Sequence, residues 1–429
     1  MKLNSKHLFS VLFVLALTSG LSLASDEAAP NYAEDTLTGD WGGLRSAAAK
    51  RGFQGDISLK IDSLRNRGAL RDGTRTVSHF DIKLKMDLEK AIGWQGGSAM
   101  VNIIQDAGNG LNAQYVGSWM GVTNLEAPYP TTTRVFHAWL QQSLWDDRLA
   151  ILAGIYPVDS EFQVLDSAGV FVKPEYGPSG EFALTRGPSI FNNAAFGVRT
   201  KLQSADKAVY AQWALMDGIP NDPRYPKRTR VRFDDRDGAF NMAEIGWLPE
   251  SGNDKFNGHA KLAFGLWGYS IREDDQFDAA NIDAGNIVGP ARHRRQHGGY
   301  LLGERTVINM DEDRFLSAFA RYAWTDGYSS PLRSALNLGL HVKGPFKSRP
   351  NDILGLAWSR AVTSVQWRAA QSVGGRATDR AEGAFELAYR YVVNPWFAIQ
   401  PDFQYITNPG TLSDVPNSRI VGARFEFIL

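Results

Sequence analysis

Residues 80–90 read FDIKLKMDLEK: Phe80, Ile82, Leu84, Met86 and Leu88 alternate with Asp81, Lys83, Lys85, Asp87 and Glu89. A side-chain period of two gives a strand one continuously apolar face and one continuously charged face, whereas a helix would mix them. The two faces must meet two different media. The same rhythm returns in DISLKID (56–62), LSAFARYAW (316–324), AFELAYRYVV (384–393), FAIQPDFQY (397–405) and the closing VGARFEFIL (421–429). Weaker versions lie at 148–156, 207–216 and 259–269, and clusters such as DAGNG, DGIPNDP and TNPG punctuate the chain as turns and loops do. No shift in composition and no repeat of fixed period divides these segments, so one domain is expected over residues 55–429.

Two settings produce such a pattern. In a soluble antiparallel sandwich the apolar face turns to a core and the charged face to water. In an outer-membrane barrel the apolar face meets lipid and the polar face lines a wet lumen. Three features favour the barrel. Aromatic residues stand towards the ends of the apolar stripes (Phe80, Trp94, Trp247, Trp324, Tyr391, Trp396, Tyr405), where rings sit in the headgroup layer. The last strand runs to the end of the sequence and is rich in Phe, as a ring that must close on itself requires. The polar faces carry full charges of both signs, which suit a wet pore better than a packed interior.

The opening residues agree with export. Lys2 and Lys6 precede the apolar stretch LFSVLFVLALTSGLSLA, with Ser22 and Ala24 as small residues at a cleavage site, so 1–24 reads as a signal peptide. Beyond it no run approaches the roughly 18 apolar residues of a membrane helix. The 46 basic and 46 acidic residues cancel, which removes any general attraction to nucleic acid, and the absence of cysteine leaves an exported chain without disulfides. At roughly 9–11 residues per spanning strand, the length accommodates about 16 strands with long loops on one side. The fold class expected is therefore all-β: an outer-membrane antiparallel barrel of about 16 strands, with a short N-terminal helix inside a 25–54 segment. Asp40 stands where a helix cap belongs and Gly52 where the Ala-rich run 40–51 stops, which reads as a surface helix capping the barrel.

At 39–53 the sequence GDWGGLRSAAAKRGF resembles the N-terminal signature of the carbohydrate-selective porins of OprB type. The likeness continues through LKMDLEKAIGWQGG (84–97), NGLNAQYVGSWMGVTNLEAP, LAGIYPVDSEF (152–162), YRYVVNPWFAIQPDFQYITNPG (389–410) and IVGARFEF (420–427). The resemblance implies a single-chain barrel of 16 strands, a monomer or trimer, that lets monosaccharides and similar small carbohydrates diffuse across the outer membrane of a Gram-negative bacterium.

Sugar passage calls for charged groups that bond vicinal hydroxyls in a fork and for aromatic faces that meet ring C–H groups, with contacts weak enough to release the solute. Lumen-facing candidates are Lys60, Asp62, Lys83, Lys85, Asp87, Arg321, Arg390, Asp402, Arg424 and Glu426, against the plainer reading that they pair with one another and keep the wall wet. Arg65 and Arg67, just beyond the first strand, either project into the eyelet or sit in an exposed loop. Asp159 and Glu161 in YPVDSEF belong either to an inward-folded constriction loop or to an ordinary solvated one. Trp139 shares a strand face with His137 and Gln141 and either stacks on a sugar or meets lipid.

The acids of FDDRDG and NMDEDR miss the spacing of a calcium loop and read as turn residues, so no metal or cofactor is implied. HRRQH (293–297) is a basic loop suited to lipopolysaccharide phosphates or to plain exposure. There is no H-E-x-x-H, no G-x-S-x-G and no phosphate-binding glycine loop, and His137 and Ser143 stand too far apart on one strand to make a hydrolase pair, so no enzyme is expected. A general or ion-selective pore, or a surface sugar-binding protein, remains the alternative.

Overall fold

The computed structural model of the protein describes residues 31–249, 260–311 and 313–429; the expected signal peptide lies outside them. The alternating segments become strands, beginning with β1 (Phe53–Gly68), β2 (Gly73–Asp87), β3 (Gly97–Ala107), β4 (Thr131–Leu144) and β5 (Leu149–Tyr156). There follow β6 (Ala195–Gln203), β7 (Val209–Asp217), β8 (Ala239–Trp247), β9 (Ala260–Asp274), β10 (His293–Asn309) and β11 (Phe315–Thr325). The ring is completed by β12 (Leu332–Lys343), β13 (Ile353–Thr363), β14 (Ala381–Asn394), β15 (Phe397–Thr407) and β16 (Ser418–Ile428). Each strand pairs antiparallel with its sequence neighbours, and β16 closes on β1 in a register that sets Leu59 opposite Phe427 and Asp62 opposite Arg424. Closure satisfies every strand edge, the one way a sheet spans lipid. The 16-strand barrel expected from the alternation is the fold observed.

The opening stretch orients as its pattern requires. Ile82 and Leu84 are 41% and 38% exposed on the outer wall, while Asp81 is 7% exposed and faces the lumen. The strand nevertheless stops at Asp87, whose carboxylate caps the short helix Leu88–Ile92 by accepting the Lys90 N–H at 3.0 Å. Leu88 and Glu89 belong to that turn and not to the strand. Phe80 sits mid-wall, whereas Trp94, Trp145 and Trp247 are exposed near the short-turn end and Tyr405 and Trp324 stand near the long-loop end. On β4 a register shift leaves Phe136 unpaired, and past it the inward positions change from even to odd numbers. That shift turns His137, Trp139 and Gln141 to the lumen.

The helix Leu44–Lys50 follows Gly43, which takes a left-handed φ of 94°. Asp40 bonds Ser46 at 2.8 and 2.7 Å. Arg45 stacks on Tyr32 and donates to the carbonyls of Leu429 at 2.9 Å and Gly55 at 3.0 Å. The helix therefore seals the β1–β16 seam at the turn end.

The interior packs aromatic rings over glycines. A Cβ on Gly265 would stand 2.2 Å from the buried Tyr300 ring, and one on Gly246 would stand 2.2 Å from Tyr210. Both tyrosine hydroxyls donate to Glu244, at 2.5 and 2.7 Å. Gly265→Ala is expected to displace Tyr300 from Glu244 and to destabilise the barrel by about 1–3 kcal/mol. The midpoint of heat-modifiable gel migration reads the loss, and an unchanged midpoint refutes it.

Candidate functional site

Among the described residues the connections at one end are short, from two residues between β14 and β15 to nine between β12 and β13, and those at the other end include two long segments that fold back into the barrel. L3 (157–194) lies against the inner wall, with Phe162, Phe171, Tyr176 and Phe182 at or below 3% exposure. A segment taken from water into the lumen must find partners for its main-chain groups. The wall supplies them in pairs. Glu304 on β10 accepts the N–H groups of Asp166 at 3.1 Å and Ser167 at 2.8 Å. Glu386 on β14 accepts those of Val172 at 2.5 Å and Lys173 at 3.2 Å. Arg321 on β11 donates to the carbonyls of Gln163, Glu175 and Gly177 and to Asn337 Oδ1. Gln400 donates to the Val170 carbonyl at 2.7 Å and Lys261 to that of Val164 at 2.9 Å.

L2 (108–130) is seated in the same manner. Glu382 accepts from Ser118 Oγ at 2.5 Å and from the N–H groups of Trp119 at 2.9 Å and Met120 at 3.2 Å. Asp62 accepts Thr123 Oγ1 at 2.5 Å and a fork from Arg424 at 2.7 and 2.8 Å, and Arg424 also reaches Asn124. The two loops meet through the Asn124 N–H on the Val172 carbonyl at 2.8 Å and Lys173 Nζ on the Gly121 carbonyl at 2.5 Å.

The candidates named from the sequence divide accordingly. Lys60, Asp62, Lys83, Lys85, Arg321, Arg390, Asp402, Arg424 and Glu426 stand at inward positions. Asp62, Arg321 and Arg424 are loop seats rather than open lining, because their bonding capacity is spent on L2 and L3. Asp402 is buried beside Gln404 at 2.9 Å. Glu161 lies on the in-folded L3 and pairs with Arg199 at 3.2 Å. Asp159, on the same loop, is largely desolvated, and burial raises its carboxyl to about 7. Trp139 is inward at 6% exposure, packed in the L3-side cluster with its Nε1 on His137 Nδ1 at 3.3 Å.

Three candidates lie elsewhere. Asp87 stands at the turn as a helix cap, not along the wall. Arg65 and Arg67 fall within β1, not beyond it, and share the outward parity of Ile57, Leu59 and Ile61. The HRRQH stretch opens β10 and is not a loop. In the acidic loop after β7, Arg232 and Arg236 pair with Asp234 and Asp237 at 2.8–3.0 Å, and the Arg236 side chain holds the Asp234 carboxyl below its ordinary range.

Towards the turn end the lumen stays more open. Lys83 meets Asp81 at 3.3 Å, Lys85 meets Asp56 at 3.5 Å and Arg390 meets Glu426 at 2.7 Å, with Lys83 and Asp56 side chains 23% and 36% exposed. All six lysines in the described strands (Lys60, Lys83, Lys85, Lys201, Lys261, Lys343) occupy inward positions. Among the described residues, Lys60, Lys201 and Lys343 have no carboxylate within 4.0 Å. The passage thus carries ammonium groups that make no direct ion pair, Lys60 among them opposite Glu426, beside fork-forming acids and arginines. Glu244, Glu304, Glu382 and Glu386 were not singled out from the sequence, although Glu386 lies on the polar face of AFELAYRYVV.

A closed 16-strand barrel, apolar outside and charged within, its lumen narrowed by an in-folded loop, is a porin. The carbohydrate-selective porin, OprB family matches residues 71–429 of this chain. Porin B of Pseudomonas aeruginosa is 25% identical, the match covering 91% of this chain and 91% of that protein. The putative porin QuiX of Acinetobacter baylyi is 23% identical over 97% of this chain and 98% of that protein. The high-pH structure of Pseudomonas putida OprB superposes with a TM-score of 0.82 at 21% identity, covering 94% of this chain and 100% of that one. The chain belongs to the carbohydrate-selective porin, OprB family. It is an outer-membrane porin for carbohydrates, and its family and fold are those of a channel rather than an enzyme.

Proposed function

We propose that small carbohydrates diffuse passively past L3 along the lysine-lined half of the lumen, and that neutral and acidic sugars pass more readily than amino sugars. The observation that carries this reading is the set of inward lysines with no carboxylate within 4.0 Å among the described residues: Lys201 and Lys343, both half-buried, and Lys60, buried in the wall opposite Glu426. They bias the lumen towards positive charge. Lys83, Lys85, Arg390, Glu426 and Asp56 supply forks and single bonds to hydroxyls, and their mutual pairing keeps any one contact weak. Because the ring closes within one chain, passage needs no second copy, and a trimer would be three parallel channels.

Liposome swelling with glucose, gluconate and glucosamine tests the proposal. Gluconate is expected to enter several-fold faster than glucosamine, and Lys60→Gln/Lys201→Gln/Lys343→Gln to bring the two rates together while glucose entry changes little. Equal rates for the two charged sugars in the unaltered porin would refute the charge preference. A pore that passes potassium chloride but excludes glucose would favour the ion-selective alternative.

A further inference from the structure

The outward-turned arginines have no part in the lumen. Arg67 on β1 stands directly opposite Arg419 on β16, and Arg65 lies on the same outward row. All three are exposed and, among the described residues, make no ion pair and no side-chain hydrogen bond. Like charges directly opposite on one sheet face repel and destabilise it. The same unfavourable pairing recurs on the far side of the ring, where outward Arg295 of β10 faces outward Arg272 of β9.

Depth gives these pairs a meaning. Arg65 stands opposite Val421, and below the Ser63–Ala423 pair the outer wall of the seam is apolar, with Ile61 and Leu59 opposite Phe425 and Phe427. Arg65 and Arg67 lie within roughly 10 Å of the long-loop end of β1, and Arg419 has Tyr405 as its other cross-strand neighbour. A tyrosine at the edge of an apolar band marks the headgroup level of a membrane, and long loops mark the outer surface of such barrels. The cations here are all arginine, whereas every described strand lysine faces the lumen. A planar fork with several donors matches a phosphate oxygen pair; an ammonium is a point charge.

We propose that Arg65, Arg67 and Arg419 form a binding site on the outer wall for the phosphate monoesters of an outer-leaflet glycolipid. The phosphate neutralises the Arg67–Arg419 repulsion, and the acyl chains continue down the Ile61–Phe425 surface. Arg272 and Arg295 make a second, smaller site of the same kind.

The test uses the full-length porin in detergent with diphosphoryl lipid A as the probe, scored by native mass spectrometry, with its dephosphorylated form and inorganic phosphate as comparison arms. Arg65→Gln/Arg67→Gln/Arg419→Gln is expected to weaken diphosphoryl lipid A binding about a hundred-fold, the loss due to three surface cations near phosphate. The dephosphorylated lipid should bind the unaltered porin as weakly as diphosphoryl lipid A binds the variant. The triple Lys variant should retain part of the affinity. Because the arginines face away from the lumen, glucose swelling rates and heat-modifiable migration should stay unchanged, which shows that the variant is folded. Undiminished lipid A binding by the Gln variant, or equal binding of the dephosphorylated lipid, overturns the proposal. Displacement of the lipid by millimolar inorganic phosphate would assign the site to a soluble anion and overturn the lipid assignment.

Discussion

Replacing Glu304 and Glu386 together by alanine is expected to raise single-channel conductance several-fold and to admit oligosaccharides that the unaltered porin rejects. The two carboxylates accept four consecutive-pair N–H groups of L3, at Asp166, Ser167, Val172 and Lys173. Without them those donors are buried with nothing to bond, at a cost of about 1–3 kcal/mol each. The total, roughly 4–12 kcal/mol, matches or outweighs the roughly 4–9 kcal/mol that burial of Val170, Phe171 and Val172 returns, so the segment is left with little or no net hold on the wall. The segment 166–173 relieves the cost only by leaving the wall for water. Arg321 continues to hold the carbonyls of Glu175 and Gly177, so the barrel itself should fold and migrate normally. Glutamine at both positions retains one acceptor oxygen per side chain and should fall between the two. Planar-bilayer conductance with a swelling series of graded sugars makes the measurement. A folded double-alanine variant with unaltered conductance would show that L3 is seated by its aromatic packing instead.

The second large effect concerns the Asp62–Arg424 pair, 1% and 3% exposed across the β1–β16 seam. Asp62→Leu leaves a buried guanidinium with only Asn124, and Arg424→Leu leaves a buried carboxylate with only Thr123. Each single change is expected to destabilise the closed barrel by about 3–5 kcal/mol, and the double Leu variant by far less, since a well-packed apolar pair replaces a buried ion pair at little cost. Denaturant unfolding in detergent, followed by tryptophan fluorescence, provides the cycle. A double variant as unstable as the two single losses added together would mean the pair acts only through packing.

The architecture was legible because its cause is local. A period of two, repeated in FDIKLKMD, AFELAYRYVV and FAIQPDFQY, forces one side of a sheet to oil whatever the rest of the chain does. The lumen was less legible because an inward glutamate looks the same in sequence whether it meets water or the backbone of a returning loop. Glu386 was visible as a polar-face residue, but nothing near it announces Val172 as its partner far earlier in the chain. Arg65 and Arg67 were misread at the strand's end, where the apolar stripe had stopped: the pleat continues to Gly68, and parity alone decides that they point outward. Asp87 kept the alternating pattern into a turn, although Gly93 six positions on already marked a helix stop. The bulge at Phe136, which turns Trp139 inward, has no signature in RVFHAWLQQS.

The way L3 is held bears on how such a passage can change. Glu304 and Glu386 grip the loop by its peptide groups, which every amino acid other than proline presents alike. Ser167, Ala168, Val170, Phe171, Val172 and Lys173 are buried, so the positions of this stretch where a side chain can change without loosening the attachment are the exposed ones, Asp166 and Gly169. A lineage can retune what its channel admits by point changes in that stretch, much as a lock takes new pins in an old cylinder, while the surrounding cylinder of strands goes untouched.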